Sequence, residues 1–173
     1  DVGRKEHWYT APWQDDDGTI EVPFPIEAPA SGIALAHPPE VFWYQRPFSL
    51  PPAMGDTPLL LHFGACDHEA DVWLNGRHLG GHVGGYTPFS FFLPTEQLRG
   101  ENLLTVRIKD SKTGPAVRGK QTSLKNPWTI FYRQSSGIWQ SVWLERASGA
   151  TIDDVYIQPA ENAAGFDVSI RVA

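Results

Sequence analysis

A chain of 173 residues, 41% hydrophobic and 20% charged with 7 Trp, 9 Phe and 5 Tyr, is long enough for one domain with its own core and short for two complete ones. The aromatic content excludes disorder through the middle of the chain, because disordered sequences lack the apolar surface that offsets chain entropy. A net charge of −6 excludes general nucleic-acid binding, which needs clustered Lys and Arg, and no run of about 18 apolar residues exists to span a membrane.

Asp1 to Pro39 holds six of the 15 prolines and the acidic run Asp15 to Asp17. Proline removes a backbone donor, so residues 1–39 are expected as an extended arm over the rest. Its opening, DVGRKEHWYTAPWQDDDG, has no apolar core of the signal-peptide kind, and the expectation is that an export signal is either removed or was never present.

From Glu40 onward the apolar spacing has the period of strands. VFWYQRPFSLP crowds aromatic and apolar residues into a run closed by Pro51 and Pro52. In PLLLHFGAC, Leu59, Leu61 and Phe63 fall on one face, Leu60 and His62 on the other. In HEADVWLNG, Ala70, Val72 and Leu74 alternate with Glu69, Asp71 and Trp73, the pattern of a sheet with one face in the core. Asn75-Gly76 then predicts a two-residue hairpin turn, since both residues adopt positive φ at little cost. The return strand carries GGHVGG, whose glycines suit a bulge or a close strand crossing. YTPFSFFLP, NLLTVRIKD, IWQSVWLERA, TIDDVYIQP and FDVSIRVA supply further strands, with Leu104, Val106 and Ile108 on one face. Strands at roughly 8–12-residue spacing predict an all-β sandwich or barrel. The long loop SKTGPAVRGKQTSLKNPW, Ser111 to Trp128, is the first place to seek a ligand, because loops of that length in compact domains are commonly functional.

Isolated chemistry is sparse. Glu69, Asp71, Glu101 and Glu145 fall on the solvent parity of strands or in turns and read as a solvated face. On one continuous strand Asp67, Glu69 and Asp71 share a face and His68 takes the other, so they do not converge on a metal. His78 and His82 flank Gly80-Gly81 without a third ligand, and neither a metal nor a cofactor is expected. Cys66 has no partner for an internal disulfide and reads as a buried, inert thiol. The fold therefore needs no oxidising compartment; the compartment stays open, with the cytoplasm slightly favoured. GGHVGG is followed by neither Lys-Ser nor Lys-Thr and opens no helix, so it is not a phosphate loop.

The succession VFWYQRPFSLP, LLLHFGACDHEADVWLNGRHLGGHVGGYTPFSFFLP, GENLLTVRIKD and YRQSSGIWQSVWLE resembles the N-terminal sugar-binding domain of glycoside hydrolase family 2 over about Val22 to Glu145. That family holds β-galactosidases, β-glucuronidases and β-mannosidases. The resemblance implies a jelly-roll β-sandwich of the galactose-binding-like type over residues 40–147. It implies that residues 148–173 are a linker and the first strands of an immunoglobulin-like second domain, inside which the chain stops as a fragment. It also implies a parent retaining β-glycosidase, acting on β-glycosides and on β-galactosides first, whose two catalytic glutamates sit in a (β/α)₈ barrel. Such a pair stands about 5–5.5 Å apart and follows motifs that this sequence lacks, so no catalytic residue is assigned. The implied partners are a carbohydrate in the context of the full enzyme, and the barrel and immunoglobulin-like domains of the same chain. Whether the parent forms a homo-oligomer stays open.

In several family members an aspartate six residues before the glycine of the motif seen here as SGIW reaches the active site, and Phe131 stands at that position. The remaining candidates for substrate contact are Arg118, Lys120 and Gln121 on the long loop and Trp128, Tyr132 and Arg133 beside it. Aromatic faces stack on a pyranose, and Arg or Gln hydrogen-bonds its hydroxyls. A structural alternative stands beside this: Trp128 and Tyr132 pack the loop onto the sandwich and Arg133 pairs with a carboxylate. A free-standing carbohydrate-binding module and a purely structural interaction domain also remain open.

Overall fold

The computed structural model describes the chain apart from residues 15–17, 55–56, 113, 115, 123, 125–126, 148, 151, 163 and 173, and without the side chain of residue 53. The acidic run Asp15 to Asp17 therefore lies outside the described residues. A helical turn α1 (Val2–Lys5) opens the arm, with the Asp1 side chain accepting from the Arg4 N–H. The strands are β1 (Val41–Ser49), β2 (Leu59–Phe63), β3 (Cys66–Asp67), β4 (Glu69–Leu74), β5 (Arg77–Val83), β6 (Phe89–Leu93) and β7 (Glu101–Lys109). After them come β8 (Gln121–Thr122), β9 (Tyr132–Arg133), β10 (Gly137–Ile138), β11 (Val142–Arg146), β12 (Ile152–Pro159) and β13 (Phe166–Val172).

The molecule is an all-β jelly-roll sandwich. One antiparallel sheet runs β1-β7-β4-β5 and the other β11-β2-β6, with the short pairs β10-β3 and β8-β9 at the periphery. Leu59, Leu61 and Phe63 of β2 and Leu93 of β6 meet Ala70, Val72 and Leu74 of β4 and Val106 and Ile108 of β7 in the core, closed by Ile138. The β2, β4 and β7 members are positions that the period-2 alternation selects, with Leu104 of the same β7 face partly buried against them. Fully burying each large aliphatic side chain contributes about 1.5–3 kcal/mol before chain entropy is set against it.

The hairpin between β4 and β5 turns on Asn75 (φ 53°) and Gly76 (φ 84°), both in the left-handed region that a two-residue turn requires. The register shifts from Val72 opposite Gly80 to Trp73 opposite His78, which makes the expected glycine bulge. Gly80 has φ 151°, and a Cβ there would stand 2.9 Å from the Phe91 ring.

The outer face of the larger sheet departs from the alternation reading. Trp73, Thr105 and Arg107 are buried although their parity is opposite to the core, because the arm lies over them. Tyr9 stacks on Trp73 with ring centroids 5.0 Å apart, Trp43 stacks on Trp73 at 5.3 Å, and the Gln45 amide donates to Ala11 O at 3.0 Å. Arg107 pairs with Asp1 and with Asp71 at 3.1 Å, and Arg4 also reaches Asp71. Asp71 is thus no member of a solvated face: its side chain is 19% exposed, inside an ion cluster roofed by the arm. Glu69 pairs with Lys109 at 3.0 Å on a more open part of the same sheet.

Candidate functional site

At one end of the sandwich, β3, the turn after β5, β8, β9 and β10 converge. Strand pairing stops at His68, so β3 turns away from β4 and joins β10. Asp67 consequently parts from Glu69 and Asp71, which corrects the expectation of one shared carboxylate face. Its carboxylate accepts from Gln121 Nε2 at 2.7 Å. That amide also contacts the Tyr86 hydroxyl at 3.1 Å, which in turn donates to Arg118 O at 2.9 Å. On its other side Gln121 Oε1 accepts the Ser135 N–H at 2.9 Å. One side chain therefore ties the long loop to β3 and to the SGIW segment.

Gly85 lets these parts meet, since a Cβ there would stand 2.6 Å from an Asp67 oxygen. Trp139 Nε1 closes the same turn by donating to Gly85 O at 2.8 Å. Burial pushes the Asp67 carboxyl above its ordinary range, against the lowering effect of Gln121. Burial, with Asp67 adjacent, pushes the Cys66 thiol up to about 12, so at neutral pH it is protonated and a poor nucleophile.

The six sequence candidates divide. Gln121 is the hub described above. Arg118 donates to Gly114 O at 2.7 Å and to Ser111 O, so its guanidinium clamps its own loop. The loop then forms the two-residue parallel pair β8-β9, Gln121 opposite Tyr132 and Thr122 opposite Arg133, with residues 113, 115, 123 and 125–126 outside the described set. The Tyr132 and Tyr86 hydroxyls meet over Gly119, each 3.4 Å from where its Cβ would stand. Trp128 is 61% exposed, with its ring centroid 6.2 Å from that of Phe131 at a 43° tilt. Lys120 and Arg133 are exposed and form no ion pair among the described residues. Trp128, Phe131, Tyr132, Lys120 and Arg133 thus present an aromatic and cationic ledge to solvent.

Beneath the ledge lies a buried polar layer that sequence reasoning missed. Ser136 donates its N–H to Glu27 of the arm at 3.0 Å, and its hydroxyl lies 2.7 Å from both Glu27 and Asp110. Gln134 Nε2 donates to Asp110 at 2.6 Å. Burial raises the Glu27 carboxyl, against the lowering effect of the Ser136 bonds. No local pattern marks Glu27, which sits in the proline-rich arm. Tyr86 carries only the signal of following Gly84-Gly85. A cleft between the two sheets is lined by Arg46, Phe48, Leu61, Leu74, Leu93 and Leu144, among others. Its walls are too apolar to satisfy sugar hydroxyls.

The sequence matches the family model for the sugar binding domain of glycosyl hydrolases family 2 over residues 6–147, more of the chain than the four motif blocks alone span. A β-glucuronidase of Paenibacillus borealis is 29% identical over 171 residues, 90% of this chain and 28% of that protein. A β-galactosidase of Thermoanaerobacter pseudethanolicus is 31% identical over 119 residues, 67% of this chain and 15% of that protein. The solved β-glucuronidase of an uncultured Clostridium sp. superposes with a TM-score of 0.76 at 26% identity, covering 98% of this chain and 30% of the other. The chain therefore spans less than a third of the length of each relative. With a jelly-roll core in register, the SGIW segment seated under β8 and β9, and a match across most of its length, the chain belongs to glycoside hydrolase family 2, as its sugar-binding domain.

Proposed function

We propose that this chain is the non-catalytic N-terminal sugar-binding domain of a family 2 β-glycosidase, and that its ledge forms one wall of the active-site entrance. The observation that carries this is the grouping of Trp128, Phe131, Tyr132 and Arg133 with Lys120 across the β8-β9 pair, held by Gln121, Arg118 and Ser136. A rigid backing with exposed rings and cations is what positions a pyranose by stacking and hydrogen bonding. The catalytic pair is assigned to a barrel elsewhere in the same polypeptide. The hairpin β12-β13 supports that organisation: Val155, Ile157, Val168 and Ile170 are paired across it and all at least 47% exposed. Two strands bury no core alone, so this face is read as the start of an immunoglobulin-like second domain.

β-Galactosides are the first substrate expected. A second reading, β-glucuronides, is favoured by Lys120 and Arg133, two exposed cations without carboxylate partners among the described residues, and by relatives named β-glucuronidases that cover nine-tenths of this chain. The test is hydrolysis of nitrophenyl β-galactoside and β-glucuronide by the full-length enzyme and its Arg133→Ala variant. A loss confined to the glucuronide selects the second reading, and an equal loss on both selects a general wall. Unchanged kinetics on both returns the domain to a purely structural role. Calorimetric titration of the isolated chain with the same sugars separates the remaining alternative: binding lost in Trp128→Ala would make it an independent carbohydrate-binding module.

A further inference from the structure

A hydroxyl carries one proton, and Ser136 Oγ has two carboxyl neighbours. It stands 2.7 Å from Glu27 Oε1 and 2.7 Å from Asp110 Oδ2, with Ser136 only 1% exposed and Asp110 3%. Asp110 Oδ2 also receives the Gln134 amide N–H at 2.6 Å, which makes that oxygen an acceptor. The Ser136 proton therefore points to Asp110. The contact with Glu27 Oε1 is then a hydrogen bond only when Glu27 donates. The other Glu27 oxygen agrees, because Oε2 accepts the Ser136 N–H at 3.0 Å. A neutral carboxylic acid, with one donor and one acceptor oxygen, satisfies both contacts; a carboxylate leaves two acceptor oxygens, Glu27 Oε1 and Asp110 Oδ2, competing for one hydroxyl proton in a buried site.

We propose that Glu27 is a positioning residue: as the neutral acid it donates to Ser136, and through it to Asp110, latching the arm beneath the 131–137 segment that carries Tyr132 and Arg133. A second tie runs between the same elements, with the Ile26 N–H donating to Ser136 O at 3.3 Å. The titratable groups around the chain are Asp110 at the end of β7, Tyr44 of β1, and Cys66 and Asp67 of β3. His68 and Arg118 are the cationic-capable groups that face Asp67. Burial, with Asp110 adding to it, raises Glu27 in the folded chain.

The sign follows from linkage. Glu27 holds its proton more tightly when folded, so the latch contributes fully below its ordinary value of 4.5 and is lost as pH rises through the raised folded value. Asp67 is raised too and gives the same sign, so the wild-type profile alone does not isolate the latch. Glu27→Gln does, because its amide donates to Ser136 Oγ and accepts the Ser136 N–H at every pH.

The experiment is thermal melting of this chain from pH 4 to 9 as wild type, Glu27→Gln, Glu27→Ala and Ser136→Ala, with trypsin cleavage after Arg133 timed at matched pH. Glu27→Gln is expected to melt with wild type at the acidic end and to exceed it by about 2 °C or more at the alkaline end. Cleavage after Arg133 is expected to accelerate with pH in wild type relative to Glu27→Gln. Parallel melting profiles for the two proteins, a Glu27→Gln protein as unstable as Glu27→Ala throughout, or equal cleavage of both at every pH would each overturn the proposal. Neither readout involves a sugar, so this latch and the sugar-facing role of the ledge stand or fall separately.

Discussion

Arg107 is held beneath the arm by Asp1 and Asp71 with 8% of its side chain exposed, and burial, followed by the Arg4 charge, lowers its pKa. Removing its β4 partner leaves a buried N–H donor unmet, so Asp71→Ala is expected to cost about 1–3 kcal/mol, read as a shift in denaturant midpoint at unchanged slope. The sequence places Asp71 on a solvent parity because a period-2 pattern sees one strand at a time. What roofs that strand lies some 70 residues away in the chain and has no periodicity of its own. The same blindness hid Glu27, which with its partners Ser136 and Asp110 is drawn from three separate stretches of the chain. Gly85 makes a sharper single-residue test. A methyl there meets the Asp67 carboxylate at 2.6 Å, and that carboxylate is held by Gln121, whereas Gly100 has nothing within 4 Å of its Cβ position. Gly85→Ala is expected to destabilise by about 1–3 kcal/mol, with Gly100→Ala within about 0.5 kcal/mol of wild type in the same unfolding titration.

Strands whose faces alternate were legible, and those fixed by remote pairing were not. Leu59, Leu61 and Phe63 on β2 and Ala70, Val72 and Leu74 on β4 lie buried where alternation puts them, and Asn75-Gly76 makes the turn its chemistry demands. Both signals are local: side-chain period and positive φ are decided within a few residues. By contrast β8 and β9 are two residues each and pair in parallel across a loop, so no short-range pattern announces them. The break at His68 that redirects Asp67 from the β4 face to Gln121 is likewise a tertiary choice. At the glycine bulge, Gly80→Ala combines a φ of 151° with a 2.9 Å approach to Phe91, an edge-strand aromatic with some freedom to move. Its backbone conformation does not relax as the ring does, and a loss of more than about 1 kcal/mol is expected by thermal melting.

At the scale of the whole molecule, buried apolar surface is concentrated between the two sheets, and the described residues of the terminal hairpin contribute none. Phe63 is fully buried against Phe89 and Phe91, and Phe63→Ala is expected to cost about 3–5 kcal/mol. Every described residue of β12 and β13 is exposed, so their amides are expected to exchange with deuterium well before those of β4 and β7. The fold class and the family were readable from four motif blocks in order, because a jelly roll writes its strands as local alternation and its turns as Gly and Asn-Gly signals. The candidate surface was readable only as a segment; which of its side chains face outward and which hold it in place depends on Tyr86, Asp67, Ser136 and Glu27, gathered from distant parts of the chain. The most direct measurement of the central reading is kcat/KM of the proposed full-length β-glycosidase on a nitrophenyl β-glycoside, for wild type and for the exposed-ledge variants Trp128→Ala and Arg133→Ala. A fall of tenfold or more at unchanged melting temperature is the result predicted for a ledge that contacts substrate. Wild-type kcat/KM in both variants would contradict it and leave the domain a scaffold.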